Sequence, residues 1–252
     1  MLEQFSLAGR TAIVTGASRG LGEGMALGLA QAGADVVVVA SSDKVHETAA
    51  NIRKLGRKSV AIQADLGSTE PISQIINTTL AEFGRLDILV NCAGIIRRAP
   101  AADFSEKDWD EVMNINLKSL FFISQAAARE MMKQRKGKII NIASLLSFQG
   151  GILVPSYTAA KSGVAGLTKA LANEWAEHGI NVNAIAPGYM ATEMTDALQQ
   201  DADRAGSILA RIPQGRWGTP EDMQGTAVFL ASDAASYLQG QVIAVDGGWL
   251  GR

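Results

Sequence analysis

The residues best suited to chemistry sit in one stretch, Ser156-Tyr157-Thr158-Ala159-Ala160-Lys161, which opens a helical pattern running to about residue 176. Tyr157 and Lys161 are spaced to project from the same face of a helix. A phenol ionises near pH ~10, too high for an acid or base working close to neutrality. An ammonium held beside it favours the phenolate and brings that value down. Upstream, Ser144 ends the apolar run Lys138-Ile139-Ile140-Asn141-Ile142-Ala143. A hydroxyl at a strand end can steady a carbonyl or alkoxide while the tyrosine moves the proton. Taken alone, Tyr-x-x-x-Lys is also a common surface pair of amphipathic helices, so its weight depends on what the rest of the chain supplies.

The elements that must position these groups follow from the hydrophobic pattern. Apolar, β-branched runs at 11–15, 35–40, 59–63, 87–91, 138–143, 181–186 and 242–245 alternate with helical patterns, which predicts βα units and a parallel sheet. Residues 108–133 read as a long helix, with Val112, Ile115, Leu117, Phe121 and Phe122 at its apolar positions. Asn114 and Asn116 interrupt it, and an amide amid such packing either satisfies backbone or serves a site. No repeat, low-complexity tract or linker breaks the chain, so one domain over 1–252 is expected. The segment at about 190–218 has mixed polarity and reads either as a lid over substrate or as an ordinary helix-loop-helix excursion. The tail, Asp246-Gly247-Gly248-Trp249-Leu250-Gly251-Arg252, is apolar for a chain end and is expected to dock.

In such a sheet, ligands bind where strands end. After the first strand comes Thr15-Gly16-Ala17-Ser18-Arg19-Gly20-Leu21-Gly22. Glycines there allow a tight turn and close backbone approach, so amides at the next helix N-terminus can face a pyrophosphate. At the end of the second strand an acid would bind the adenosine ribose and repel a 2′-phosphate. The chain has Ala40-Ser41-Ser42-Asp43 instead. Asp43 is late for that role and suits a helix cap; Ser41 and Ser42 are neutral donors, and Arg19 can reach a 2′-phosphate. The residues lean slightly toward NADPH while leaving NAD open. Asp65-Leu66 and Asn91-Cys92-Ala93-Gly94 end the third and fourth strands, with Asp65 also suited to a cap and Cys92 to a small buried hydrophobe. Arg97 and Arg98 follow, either as a carboxylate clamp or as a solvated surface pair. Beyond Lys161, the small residues of Ser162-Gly163-Val164-Ala165-Gly166-Leu167 allow close approach of another helix, at a subunit interface or within the chain's own packing.

Composition narrows the function classes. The 252 residues are 47% hydrophobic and 19% charged, enough for a well-buried α/β core. With 23 Lys+Arg against 25 Asp+Glu, the net charge is −2 and no basic stripe is present, so nucleic acid is not an expected partner. No apolar run is long enough to span a bilayer, and residues 1–10 lack a signal-peptide core, so a soluble cytoplasmic protein without membrane partners is expected. One cysteine and two histidines make neither an internal disulfide nor a metal site.

Taken jointly, Thr15-Gly16-x-x-x-Gly20-x-Gly22, Asn91-x-Ala93-Gly94, Asn116, Ser144, Tyr157-x-x-x-Lys161 and Pro187-Gly188 resemble the short-chain dehydrogenase/reductase family along essentially the whole chain. Cys92 departs from the family, which more often has a second asparagine there. The resemblance implies a Rossmann-type, doubly wound parallel sheet of about seven strands with helices on both faces. It implies Tyr157 as general acid or base, Lys161 lowering its pKa and holding the nicotinamide ribose, Ser144 on the reacting oxygen, and Asn116 holding a relay water. The cofactor implied is NAD or NADP. It would lie along Gly16, Ser18, Arg19, Gly20, Leu21 and Gly22, then Ser41, Asp65 and Leu66. From there it would pass Asn91, Ala93 and Gly94 to Tyr157 and Lys161, beside Pro187, Gly188, Met190 and Thr192. A homotetramer with the Tyr157 helix in one interface is implied.

A narrower resemblance rests on residues 141–151, 185–192, 211–218 and 244–250, together with Gly94-Ile95-Ile96-Arg97-Arg98. These are similar to the family's 2-dehydro-3-deoxy-D-gluconate 5-dehydrogenases, also called 2-deoxy-D-gluconate 3-dehydrogenases. The implied substrate is a small anionic sugar acid, with Gln149 on its hydroxyls and Arg97 or Arg98 on its carboxylate. This subgroup is mostly NAD-linked. Alternatives are a 3-oxoacyl carrier-protein reductase, a gluconate 5-dehydrogenase and, from a different class, a catalytically idle NAD(P)-binding regulator.

Overall fold

The computed structural model describes residues 2–252. Seven strands form one sheet: β1 (Thr11–Thr15), β2 (Asp35–Ala40), β3 (Ser59–Gln63), β4 (Ile88–Asn91), β5 (Gly137–Ile142), β6 (Ile180–Pro187) and β7 (Val242–Val245). Each coincides with an expected apolar run to within a residue at either end. Every pairing is parallel and the order is β3-β2-β1-β4-β5-β6-β7. The Rossmann-type doubly wound arrangement is therefore present. Winding reverses between β1 and β4, which opens a crevice beyond their carboxyl ends.

The strands read as unbroken Val and Ile runs because both faces are covered. Successive side chains alternate. Ala12, Val14, Val36 and Val38 point into one core layer with α1 (Gly20–Gln31), α2 (Val45–Lys54) and α9 (Pro220–Ala231). Ile13, Val37 and Val39 point into the other with α3 (Ile72–Phe83), α5 (Leu120–Gln134) and α6 (Pro155–Trp175). Pro155 opens α6, where its missing N–H is harmless.

The helix expected at 108–133 is interrupted. Helix α4 (Glu106–Met113), N-capped by Ser105, runs into a π-helical turn at Asn114–Ser119 before α5 begins. Val112 is buried, but Phe122 is 39% exposed and contacts Phe121 edge-on, so it lies outside the core layers. Two short helices, α7 (Asp196–Gln200) and α8 (Ala202–Leu209), make up most of the excursion between β6 and α9. The tail docks through Trp249, which is 5% exposed. Among the described residues no helix is long and apolar enough to cross a membrane.

Candidate active site

The register of β1 against β4 sets the loop after β1 beside the loop after β4. Thr15, buried at the end of β1, accepts hydrogen bonds from the Cys92 and Ala93 amides at 3.0 and 3.1 Å. Gly16 has φ +66°, and a Cβ there would lie 2.8 Å from the Ala93 backbone. A Cβ on Gly22 would lie 2.1 Å from the Gly16 carbonyl oxygen. The loop is thus closed against its neighbours by glycines, and α1 starts at its end with free amides facing the crevice. The cradle fits a dinucleotide pyrophosphate.

At the end of β2, Ser41 lines the cavity and Asp43 does not. Asp43 is not the cap of α2 either. No side chain caps that helix, and the Lys44 amide is bonded by the Ser42 hydroxyl at 3.3 Å. Asp65, after β3, lies on the cavity wall and closes a tight turn by accepting the Gly67 amide at 2.8 Å.

Two expected positions, Asn91 and Asn116, are not on the cavity wall. The Asn91 amide points into the helical layer, donating to Ser124 at 2.8 Å and to Asn141 at 2.9 Å. Asn141 in turn donates to Thr168 at 3.0 Å, so this buried network ties β4 and β5 to α5 and α6 beneath the site. Strand alternation turns Asn91 away and leaves Cys92, Ala93 and Gly94 on the wall. Asn116 lies in the π turn, fully buried. It accepts from the Ile95 amide at 2.9 Å and donates to the Ile95 carbonyl at 2.8 Å, clamping the loop that follows β4.

Ser144, Tyr157 and Lys161 share one wall of the cavity. Ser144 caps the turn at Leu145–Ser147. Ser147 donates to the Lys161 carbonyl at 2.6 Å, fastening that turn to α6. The Lys161 ammonium donates to the Ile142 carbonyl at 2.6 Å and lies 5.6 Å from the Tyr157 ring centre. Burial dominates both ionisations. It pushes the Tyr157 phenol up to about 12, while Ser144 and Arg98 beside it favour the phenolate. It pulls Lys161 down to about 8. The Lys161 ammonium is turned to the Ile142 carbonyl but stays close to the ring, and Arg98 is a further cation that favours the phenolate.

The cavity holds about 830 Å3 and runs from the glycine loop to Tyr157. Five cations and two carboxylates line it, in a chain of net charge −2. The two adjacent arginines separate. Arg97 is held by Glu111 at 2.8 Å and lies 3.5 Å from Asp108, whereas Arg98 forms no ion pair among the described residues. Arg19 pairs with Glu193 at 2.8 Å. Gln149 lines the cavity and accepts the Trp249 indole N–H at 3.2 Å, which leaves its amide NH2 as donor.

Pro187, Gly188, Met190 and Thr192 all reach the wall. The excursion beyond them starts and ends at one clasp. The Gly218 amide donates to the Tyr189 carbonyl at 2.9 Å, and the Ala191 amide to the Gly218 carbonyl at 2.8 Å. Tyr189, Leu198 and Arg204 also line the cavity. Tyr189 lies in the stretch 187–192 expected at the ligand edge, whereas the sequence reading missed Leu198 and Arg204, since only their position in the folded excursion brings them there. A smaller depression of about 420 Å3 lies beside Gln214 and Asp246, and its Arg216 is paired with Asp222.

Comparison with known proteins bears on this geometry. A family model described as enoyl-(acyl carrier protein) reductase matches residues 16–250. The 2-dehydro-3-deoxy-D-gluconate 5-dehydrogenase of Escherichia coli is 58% identical over 253 residues, covering 100% of each chain. An Agrobacterium tumefaciens crystal structure with bound NADP, a candidate 2-deoxy-D-gluconate 3-dehydrogenase, is 56% identical with TM-score 0.90, covering 99% of this chain and 100% of that one. A gluconate 5-dehydrogenase from Burkholderia cenocepacia, in complex with NADP and tartrate, is 40% identical with TM-score 0.96, covering 100% and 99%. With the glycine cradle, the Ser144-Tyr157-Lys161 wall and matches along its whole length, the chain belongs to the short-chain dehydrogenase/reductase family.

Proposed function

We propose that the chain is an NAD(P)-dependent oxidoreductase interconverting a secondary alcohol and a ketone on a small keto-deoxy sugar acid, of the 2-dehydro-3-deoxy-D-gluconate 5-dehydrogenase type. The observation that carries this reading is a Ser-Tyr-Lys wall in a cavity rich in cations, where Arg98 also lines the cavity and has no ion pair among the described residues. Full-length identity of 58% to a relative of that name supports the substrate class. An acyl thioester offers no carboxylate for Arg98, which weighs against a carrier-protein reductase. The assembled proton-transfer wall weighs against an idle regulator.

In this reading the cofactor, when bound, supplies or accepts the hydride. Tyr157 gives its hydroxyl proton to the ketone oxygen, or takes the proton from the alcohol, while the Ser144 hydroxyl donates to the same oxygen. Lys161 holds the nicotinamide ribose and passes protons toward a water beside Asn116, whose amide keeps one hydrogen and one lone pair after bonding Ile95. Arg98 takes the carboxylate and Gln149 a hydroxyl. Arg97, already engaged by Glu111, orders the loop. The excursion at about 190–218 acts as a lid, and the assembly is a homotetramer with α6 in one interface.

The first test is initial rates on 2-dehydro-3-deoxy-D-gluconate with NAD and then NADP, beside 2-deoxy-D-gluconate and gluconate with the same cofactors, and an acetoacetyl thioester with NADH and then NADPH. Turnover of the keto-deoxy acid at the highest kcat/KM supports the reading and shows which cofactor the neutral Ser41 end accepts. Turnover confined to the thioester sinks it.

A further inference from the structure

Of the five cations on the cavity wall, three are already occupied: Arg19 by Glu193, Arg97 by Glu111, and Lys161 by the Ile142 carbonyl. Arg98 and Arg204 have neither a side-chain hydrogen bond nor an ion pair among the described residues. They come from different elements, Arg98 from the loop after β4 and Arg204 from α8 in the excursion over the site. Helix α8 is seated by Ile208, which is buried in a cluster with Leu145, Ile212 and Trp249. Leu145 directly follows Ser144, and Trp249 is bonded to Gln149. Arg204 lies one helical turn before Ile208, on the same face of α8. The contact that seats α8 therefore aims Arg204 at the stretch carrying Ser144 and Gln149. Its backbone is fixed independently, because Asp201 caps α8 by accepting the Arg204 amide at 3.0 Å.

We propose that Arg204 is a specificity-determining residue that binds the substrate carboxylate from the lid side, jointly with Arg98. This rests on the substrate class proposed above and adds a residue to it. Two guanidiniums from separate elements can meet one carboxylate with charge-assisted hydrogen bonds. One of them rides on the excursion, so an anionic substrate would hold the lid seated and a neutral polyol would not. Discrimination between a sugar acid and its neutral analogue would then depend on closure as well as on the pocket floor.

The test compares wild type, Arg204→Gln and Arg204→Lys, each saturated with NADP. Binding of D-gluconate and of neutral D-glucitol is measured by calorimetry, and the NADP Kd separately. Steady-state kcat and KM on 2-dehydro-3-deoxy-D-gluconate complete the set. The expected result is that Arg204→Gln weakens D-gluconate about tenfold or more. D-glucitol and NADP binding should stay within about twofold, KM should rise more than kcat falls, and Arg204→Lys should recover part of the loss. Arg204 is exposed, and unchanged NADP binding serves as the check on folding. An unchanged D-gluconate Kd in Arg204→Gln overturns the proposal, as does an equal loss for D-glucitol. Weakened NADP with D-gluconate untouched also overturns it, since Arg204 would then serve the cofactor phosphates. A wild type that binds D-gluconate no better than D-glucitol overturns it too. Failure of the substrate reading is distinguishable: wild type would leave the keto-deoxy acid unoxidised while the gluconate-to-glucitol contrast still reports on Arg204.

Discussion

At Tyr157 the side chains set up an opposition whose outcome is measurable. Burial holds the phenol up to about 12, so alcohol oxidation, which needs the phenolate, should gain rate as pH rises on the alkaline side. Arg98 favours the phenolate from nearby. Arg98→Gln removes that cation, so the phenol should lose its proton less readily and the alkaline limb of kcat/KM for oxidation should move to higher pH. A limb that stays in place, or moves down, would show that Arg98 does not act on the Tyr157 phenol. Tyr157→Phe removes the proton carrier itself. Turnover should fall by about 10²–10⁴-fold while cofactor affinity, measured by fluorescence titration, holds. Substantial remaining turnover would refute the assignment. Arg97 supplies a contrast, because Arg97→Ala should disturb the loop and α4 through Glu111 and leave the alkaline limb in place.

Among the elements, the π turn at Asn114–Ser119 repays attention because it brings Asn116 to Ile95. Replacing Asn116 by Ala leaves both Ile95 backbone groups without their side-chain partners. Stability should drop by roughly 1–3 kcal/mol in urea unfolding, with kcat falling alongside. A variant with wild-type stability would mean that water replaces the amide. The excursion over the site is tied at its return, where Asp222 takes Arg216 and the Thr219 amide and is held down at about 2. A depressed carboxylate contributes stability above its ordinary value of 3.8 and loses it as pH falls toward 2. Asp222→Asn should therefore lower Tm by about 2–4 °C near neutrality. The gap from wild type should close between about pH 4 and pH 2. What the sequence displays at this scale is local. Val-rich runs such as Asp35–Ala40 read directly as strands because both faces are buried. The π turn is not legible, since Asn114 and Asn116 signal only an interruption. The direction of Asn91 and the pairing of Arg97 with Glu111 depend on how strands and helices from distant parts of the chain meet. Arg204 is invisible in sequence for the same reason.

In the whole molecule, the two edges of the sheet carry different work, and one buried lysine tests that division. The carboxyl edge holds the cavity, whose cations exceed its carboxylates although the chain is net negative, which focuses anions there. The amino edge holds Lys138 at the start of β5, 3% exposed, its ammonium donating to Asn181 at 2.8 Å. Asp233 offsets it partly, but Arg10 and Lys136 already engage that carboxylate. Burial pulls Lys138 down to about 8 from 10.5. The sign follows from proton linkage. Between about pH 8 and 10.5 the unfolded chain holds this proton and the folded chain does not, so stability gains from Lys138 as pH rises through that window. Below pH 8 the buried charge is a standing penalty. Lys138→Met removes both the charge and the titration. Relative to wild type it should be favoured most below pH 8, and the advantage should shrink toward pH 10.5, read as the difference in unfolding free energy across pH. Because Lys138 lies at the far end of β5 from Ser144, kcat and KM should match wild type at each pH. A constant stability difference would show the lysine to be solvated in solution. A shift in kcat would show that the sheet transmits changes from one edge to the other.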